Sequence, residues 1–171
     1  MSIFKEFHYC PRCQAKLAEN ENYVKCDKCG FSLYDNPRPI TILLLKNADD
    51  EYLLFRRAEE PNAGMLDLPG GFVMDGETLI DGARRELQEE VGIEVTELTY
   101  YGSYSDVYLY KEIPYSILGV VFTGRISDSQ ELKPTEEVTE YLFRKLADVP
   151  ITDFAFPSMQ KLFRDLQATK V

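Results

Sequence analysis

The sequence has no excess of basic charge and no long apolar run. The 171-residue chain carries 19 Lys and Arg against 29 Asp and Glu, for a formal net charge of −10. This balance argues against a general nucleic-acid or anionic-membrane surface. The longest clean apolar stretch, Ile42 to Leu45, is far too short to cross a bilayer, and the N-terminus lacks the apolar core of a secretory signal. A cytoplasmic protein with no membrane partner is therefore expected.

What is present is typical of a globular protein. Hydrophobic residues at 44% and charged residues at 28% allow a real core, and the length fits one domain with a small appendage. The first 36 residues carry five basic and five acidic side chains, so the whole acidic excess lies in residues 37–171. That part would repel a pyrophosphate-bearing substrate unless bound metal ions inverted the local potential.

Cysteine is missing from most of the chain, because all four cysteines form two CxxC pairs near the N-terminus: Cys10, Cys13, Cys26 and Cys29. Two thiolates from each tight turn suit tetrahedral Zn²⁺. The alternatives are two disulfides, which need an oxidising compartment, and redox-active pairs, which normally occur singly in an αβ context. The spacing favours structural zinc, with His8 as a bystander. So short a segment also needs the metal to fold.

Periodicity predicts the main elements of the larger part. Strands are predicted at residues 40–45, 52–56, 100–110 and 115–126. Residues 137–147 fit a strand or a loop. Helical spacing of apolar residues predicts an amphipathic terminal helix over residues 156–167. Strands with helices between and after them predict an α/β or α+β sandwich.

A second helix is predicted to begin after Thr78. Thr78 suits the N-cap, with Asp81 three residues on as its capping-box partner. The helix should run to about Val91, with Gly92 at the C′ position. Gly82 within it costs roughly 0.5–1 kcal/mol relative to alanine. The sequence gives no reason for that cost.

This helix carries three clustered glutamates, Glu86, Glu89 and Glu90. At positions i, i+3 and i+4 their carboxylates share one helical face and repel one another. One interpretation is a solvated acidic face that Arg84 and Arg85 offset. The other is a site for Mg²⁺ or Mn²⁺, which prefer carboxylate oxygens and join them to substrate phosphates.

The spacing around these glutamates favours the second interpretation. The segment GGFVMDGETLIDGARRELQEEVGI, from Gly70 to Ile93, resembles the Nudix box at every defined position. The LPGG entry and the CxxC pairs ahead of it resemble the zinc-ribbon branch of Nudix hydrolases, which includes NADH pyrophosphatase-like and FAD/ADP-ribose pyrophosphatase-like members. The resemblance implies a Nudix-type α/β/α sandwich with a mixed sheet over residues 37–171, preceded by a small zinc ribbon over residues 1–36.

The resemblance also implies an enzyme. It would be a metal-dependent pyrophosphohydrolase that cleaves the diphosphate of a nucleoside diphosphate linked to another moiety, of the ADP-ribose, NAD(H) or FAD class. The chemistry expected is attack of a metal-activated water on phosphorus. Its cofactors would be catalytic Mg²⁺ or Mn²⁺ and structural Zn²⁺.

Roles follow from the resemblance position by position. The three glutamates would be metal ligands and Gly71 would give a carbonyl, while Glu77 and Arg85 would brace the loop and orient the ligands. A further acid from a late loop, Glu137 with Glu136 close behind, would act as ligand or base. An exposed acidic loop explains those two residues nearly as well.

The substrate is less defined. The chain contains no tryptophan, and GSYSDVYLY stands where NADH pyrophosphatases carry a Ser-Gln-Pro-Trp-Pro-Phe-like motif. The later DFAFPSMQ looks more like relatives that cleave FAD or ADP-ribose. Candidate substrate contacts are Arg56 for a phosphate or ribose, and Tyr104 and Tyr108 for base stacking. Packing on a strand explains the tyrosines at least as well.

Two other functions are compatible with the same motif. An RNA 5′-end (cap) hydrolase is opposed by the acidic charge, so a nucleic-acid partner is not expected. A non-catalytic nucleotide-binding regulatory module would be expected to lose box residues, and none is missing. A homodimer is plausible because relatives often pair.

Overall fold

A computed structural model of the protein describes residues 4, 7–18, 23–127, 129–133 and 135–169. Contacts divide the chain into two units. The first comprises Met1–Arg38 with Val107–Ile117, and the second comprises Pro39–Asp106 with Leu118–Val171. The domain boundary after residue 36 stays a prediction. Residues 107–117, assigned above to the larger domain, group with the N-terminal segment.

The N-terminal part of the first unit is built around a short hairpin. Strand β1 (Tyr23–Lys25) pairs antiparallel with β2 (Ser32–Tyr34). Its small core joins Phe4, Leu17 and Val24 to two of the cysteines. Few apolar side chains are available here, so the cysteine site must supply much of the cohesion.

The main sheet has six strands: β3 (Arg38–Lys46), β4 (Tyr52–Arg57), β5 (Leu66–Asp67), β6 (Thr99–Tyr110), β7 (Ile113–Arg125) and β8 (Val138–Arg144). Their order is β5-β4-β3-β7-β6, with β8 paired to β4. The four predicted strands are confirmed. The ambiguous 137–147 segment contains β8, because its residues pair antiparallel with β4 from Tyr52↔Arg144 onward.

Alternating residues of β3 and β4 face two separate cores. One face packs on helix α1 (Leu79–Glu86) and the π-helical turn Leu87–Val91, in a cluster that includes Leu43, Leu45, Leu53, Ala83, Leu87 and Val91. The other face packs on α2 (Pro157–Ala168), in a cluster that includes Ile42, Leu44, Leu54, Met159, Leu162 and Phe163. A sheet between two helical layers confirms the predicted α/β/α sandwich.

The helix that starts with α1 begins and ends as predicted but changes helical type in its last turn. The Thr78 hydroxyl accepts from the Asp81 N–H and the Asp81 carboxylate accepts from the Thr78 N–H, both at 3.2 Å, so the capping box is confirmed. Gly92 ends the helix in the left-handed region, at φ 72°. The helix runs to Val91 as predicted, but its last five residues, Leu87–Val91, are π-helical, which the sequence did not indicate. Donors from elsewhere in the chain bind its terminal carbonyls, as described below.

Helix α2 is capped from a neighbouring strand. Pro157 occupies its first turn, and the Asp106 carboxylate on β6 accepts from the Ser158 N–H at 2.8 Å. A carboxylate at a helix N-terminus satisfies free amides and complements the helix dipole. No helix in the described part of the chain has the length and apolar character that a membrane span requires.

Candidate active site and cysteine site

Arg85 on α1 gathers the acidic residues of the motif. Its Nε donates to Glu77 Oε1 at 2.7 Å, and its Nη1 donates to Glu86 Oε1 at 2.7 Å and to Glu89 Oε2 at 2.9 Å. Its Nη2 donates to the Phe72 carbonyl at 2.8 Å. The hydrogen bond from Arg85 lowers the pKa of Glu77, and the same contact raises the pKa of Arg85. One guanidinium therefore ties the loop after the glycines to the glutamate-bearing helix.

Glu86 and Glu89 share one nitrogen of this guanidinium but differ in exposure. The Glu86 side chain is 12% exposed, whereas that of Glu89 is 60% exposed. Burial raises the pKa of Glu86 against the lowering effect of Arg85. Across the described residues, the three glutamates are not gathered as closely as the four cysteines are. Their role as joint metal ligands stays a prediction.

Glu90 is the buried member of the set. It is 7% exposed, and its Oε2 accepts from the Gly70 N–H at 2.8 Å. The pKa of Glu90 is raised to about 9, chiefly by burial and also by the charges of Glu86, Asp67 and Glu137, against the lowering effect of the Gly70 hydrogen bond. Arg85 binds Glu77, Glu86 and Glu89, while Glu90 lies near enough to Glu86, Asp67 and Glu137 for their charges to act on it. This is the donor set that hard divalent cations prefer.

The Gly70–Gly71 turn fits tightly against β3 and the helix. A Cβ on Gly70, at φ 140°, would lie 2.1 Å from the Thr41 carbonyl oxygen, and one on Gly71 would lie 2.5 Å from Glu86 Oε1. The Gly71 carbonyl accepts from the Thr41 N–H at 2.8 Å, which leaves a second lone pair for the predicted metal contact. The Thr41 hydroxyl is buried beside this turn and has no hydrogen-bond partner among the described residues.

Glu137 lies in an exposed turn just before β8. Its backbone carbonyl accepts from the Ala58 N–H at 2.8 Å, which fixes the turn to the end of β4. Its charge raises the pKa of both Glu86 and Glu90. The fold therefore brings this late-loop acid into electrostatic contact with the motif, as the resemblance implies. Its role as ligand or base stays a prediction.

Sequence reasoning missed Asp67. This carboxylate on β5 is 8% exposed, accepts from Arg57 Nη1 at 2.9 Å, and has a pKa raised by burial. Its charge acts on Glu90. The sequence did contain a signal for this residue, because Asp67 directly precedes the LPGG segment.

Tyr141 on β8 was also missed. Its hydroxyl donates to the backbone carbonyl of Glu90, 51 residues away in sequence, and lies 2.8 Å from the Lys133 carbonyl. No local pattern in the sequence signals such a contact.

Gly82 now has a structural explanation. A Cβ there would lie 3.2 Å from Glu77 Oε2 and 3.4 Å from Val73 Cγ2. Both neighbours belong to the loop that Arg85 ties to the helix. The glycine lets that loop approach α1 closely, which compensates for its cost in helix propensity.

The predicted substrate contacts already have partners in the protein. Arg56 Nε donates to Glu140 Oε2 at 3.2 Å, and the Tyr104 hydroxyl donates to Asp165 Oδ2 at 3.1 Å. In the first unit, Tyr108 stacks on Tyr110 with ring centroids 6.4 Å apart. Tyr104 also packs against the α2 core, as the packing interpretation expects. Contact of these residues with substrate stays a prediction.

The four cysteines of the first unit form a compact sulfur cluster. Their Sγ atoms all lie within 4.8 Å of one another, and Cys10–Cys29 and Cys13–Cys26 are each 3.6 Å apart. A disulfide would hold two sulfurs about 2.05 Å apart, whereas tetrahedral zinc with Zn–S of about 2.3 Å places them about 3.8 Å apart. The cluster therefore has the dimensions of a tetrahedral metal site. His8 is not a member of it.

Each CxxC turn is closed in the same way. The Gln14 N–H donates to the Cys10 carbonyl and the Gly30 N–H to the Cys26 carbonyl, both at 2.8 Å. Gln14 and Gly30 both adopt left-handed conformations, with φ 60° and 73°. The two halves of the site thus have matching backbone geometry.

Comparison with known proteins matches most of the chain to one family. The family model described as NUDIX domain matches residues 36–166. The NAD-capped RNA hydrolase NudC of Vibrio vulnificus is 33% identical over 97 residues, 56% of this chain and 36% of that protein. NudC of Deinococcus radiodurans is 27% identical over 172 residues, 97% of this chain and 59% of that protein. The chain thus spans less than two thirds of the length of each of these curated relatives.

Solved structures show the same fold. The crystal structure of a NUDIX hydrolase from Nitrosomonas europaea aligns with a TM-score of 0.67 at 26% identity, covering 93% of this chain and 90% of that one. The NUDIX domain of Shewanella oneidensis NrtR, complexed with ADP ribose, aligns with a TM-score of 0.63 at 20% identity, covering 81% and 91%. The second likeness bears on the fold alone.

Proposed function

Because the chain belongs to the NUDIX domain family, we propose that it is a metal-dependent pyrophosphohydrolase acting on a nucleoside diphosphate linked to another moiety. ADP-ribose, NAD(H) and FAD represent the substrate class. One observation carries the proposal: Arg85 holds Glu77, Glu86 and Glu89 together while Glu90 is buried against Gly70. Carboxylates in this arrangement are costly for a purely structural helix end and useful for binding a cation.

The residues proposed to hold Mg²⁺ or Mn²⁺ are Glu86, Glu89, Glu90 and the Gly71 carbonyl. A bound divalent cation would supply Lewis-acid polarisation of the phosphate oxygens and lower the pKa of a bound water. Arg85 and Glu77 fix the ligands in orientation. Glu137, whose charge already acts on Glu86 and Glu90, is proposed as a further ligand or as the base that takes a proton from water.

In the N-terminal segment the proposed role of the metal is structural. Cys10, Cys13, Cys26 and Cys29 would hold Zn²⁺ as four thiolates, a closed set that leaves no position for substrate. The small apolar core around them supports a role in folding rather than in catalysis.

A second candidate substrate is an NAD-capped RNA 5′ end. Curated relatives from Vibrio vulnificus, Caenorhabditis elegans and Haemophilus influenzae are named NAD-capped RNA hydrolases, which weakens the expectation that no nucleic acid is bound. The reacting diphosphate would be chemically the same as in free NAD. The net charge of −10 remains the argument for the small molecule.

The test is a hydrolysis panel with Mg²⁺ and with Mn²⁺. It covers NADH, NAD⁺, ADP-ribose, FAD, diadenosine polyphosphates, nucleoside triphosphates and NAD-capped RNA. We expect cleavage of at least one diphosphate-linked dinucleotide or nucleotide sugar, lost in Glu90→Gln and retained in the exposed control Glu94→Gln. Equal turnover in Glu90→Gln would contradict the assignment of the chemistry. A clear preference for capped RNA over free NAD would select the second candidate.

A further inference from the structure

The π-helical turn Leu87–Val91 ends with carbonyls that the helix itself does not satisfy. The Gly92 and Ile93 N–H groups both donate back to the Leu87 carbonyl, at 2.9 and 3.4 Å. The Glu90 carbonyl instead receives the Tyr141 hydroxyl, and the Val91 carbonyl receives the Lys133 N–H at 2.9 Å. The last carbonyls of a helix need such external donors when they are not solvated.

Tyr141 is fixed by more than its hydroxyl. On β8 it pairs with Phe55 of β4, and its ring packs against the cluster that contains Leu87 and Val91. The hydroxyl also lies 2.8 Å from the Lys133 carbonyl. The Tyr141 side chain, which β8 carries, therefore contacts both the Glu90 carbonyl in the π-helical turn and the Lys133 carbonyl.

Glu137 lies in sequence between Lys133 and Tyr141. Its own carbonyl is bound by Ala58 at the end of β4, while its side chain is exposed and its charge acts on Glu86 and Glu90. Three backbone attachments, at Lys133, Glu137 and Glu90, therefore set where this late acid lies relative to the helix. Tyr141 contributes to two of them.

Resting on the pyrophosphohydrolase function proposed above, we propose that Tyr141 is a positioning residue that locks the π-helical turn to the turn carrying Glu137. It touches neither substrate nor metal in this role. It holds the Glu90 backbone and the Glu137 turn in one fixed relation, so that their carboxylates meet the same cation.

The test compares Tyr141→Phe with a control, Tyr101→Phe, at an exposed tyrosine on β6. Hydrogen–deuterium exchange on the cation-free, zinc-loaded protein measures opening of the turn directly. Calorimetric titration with Mn²⁺ measures cation binding, and steady-state kinetics separate kcat from KM. Groups that orient metal ligands typically change affinity or activity by about 10- to 100-fold. We expect about a 10-fold loss in Mn²⁺ affinity and in kcat for Tyr141→Phe, faster exchange at residues 135–138, and unchanged KM for nucleotide.

A double mutant identifies the route of the effect. In a Glu137→Gln background, Tyr141→Phe should change Mn²⁺ affinity by less than about 2-fold, because residues that act through one another are not additive. An undiminished effect in that background would overturn the proposal, as would Tyr141→Phe with wild-type exchange and wild-type Mn²⁺ affinity. If wild-type protein binds Mn²⁺ without cleaving any substrate, the proposed function fails. Exchange and Mn²⁺ binding would then still decide the role of Tyr141.

Discussion

The cysteine cluster and the glutamate helix are both candidate metal sites, but their candidate ligands are held by different contacts. Four sulfurs lie within 4.8 Å of one another, whereas Arg85 and the Gly70 amide hold the glutamates. A thiol can approach other thiols at little electrostatic cost, but carboxylates repel and need a counter-charge. The first set suits a permanent structural metal. The second suits a cation that is exchanged with substrate.

We expect the largest effect, on both zinc content and folding, from substitution of a cysteine of the cluster. Cys26→Ser should abolish zinc binding and unfold the N-terminal segment, because structural zinc contributes about 10–16 kcal/mol of apparent binding free energy in small metal-folded units. Elemental analysis and circular dichroism would measure it. The control His8→Ala should keep full zinc content. Normal zinc content and normal folding in Cys26→Ser would contradict a structural role for zinc at the cysteine cluster.

Substitution of a glutamate of the helix should lower the reaction rate without unfolding the protein. Glu90→Gln should lower kcat by at least about 100-fold, equivalent to about 2.7 kcal/mol of barrier, while the melting temperature is kept. Burial raises the pKa of Glu90 to about 9, so a neutral glutamine resembles the state the fold favours without a cation. If Glu90→Gln unfolded the protein and did not simply slow the reaction, Glu90 would have a structural role like that proposed for the cysteines.

Arg85 should be the next most sensitive residue. Arg85→Lys keeps the charge but cannot reproduce donors to Glu77, Glu86, Glu89 and Phe72 at once. We expect kcat to fall about 10- to 100-fold, the range for groups that orient metal ligands. The exposed neighbour Arg84 gives the matched control, since Arg84→Lys should leave kcat within about 2-fold of wild type. Equal losses in both variants would show that Arg85 has no special role.

The smallest expected effect is on the start of the helix. Thr78→Ala removes the capping box with Asp81 and should destabilise the protein by about 1 kcal/mol. Urea unfolding would measure it, with exposed Thr152→Ala as the control. Because the cap lies far along the helix from Glu90, kcat should stay within about 2-fold of wild type. A loss of rate larger than the loss of stability would mean that the cap also positions the glutamates.

The sequence was informative wherever a local pattern decides the structure. Thr78, Asp81 and Gly92 marked the helix ends because capping depends on residue type over a few positions. The strands at 40–45 and 52–56 were visible because they are buried runs. The glutamates proposed as metal ligands were visible because their spacing from Gly71 is distinctive.

What the sequence missed depends on contacts made by distant residues. The π-helical turn has its last carbonyls bound by Tyr141 and Lys133, and β8 is a strand because it pairs with β4. Gly82 has no local explanation in the sequence, because its reason is Glu77 Oε2, which lies 3.2 Å from where a Cβ would be. The homodimer, the cytoplasmic location and the substrate contacts at Arg56, Tyr104 and Tyr108 stay predictions.

A calorimetric titration of zinc-loaded protein with Mn²⁺, for wild type and for Glu90→Gln, tests the cation site most directly. We expect saturable Mn²⁺ binding in the wild type, weakened at least about 10-fold in the variant, with zinc content equal in both. Equal Mn²⁺ binding in the two proteins would contradict the claim that the glutamate helix is a cation site separate from the cysteines.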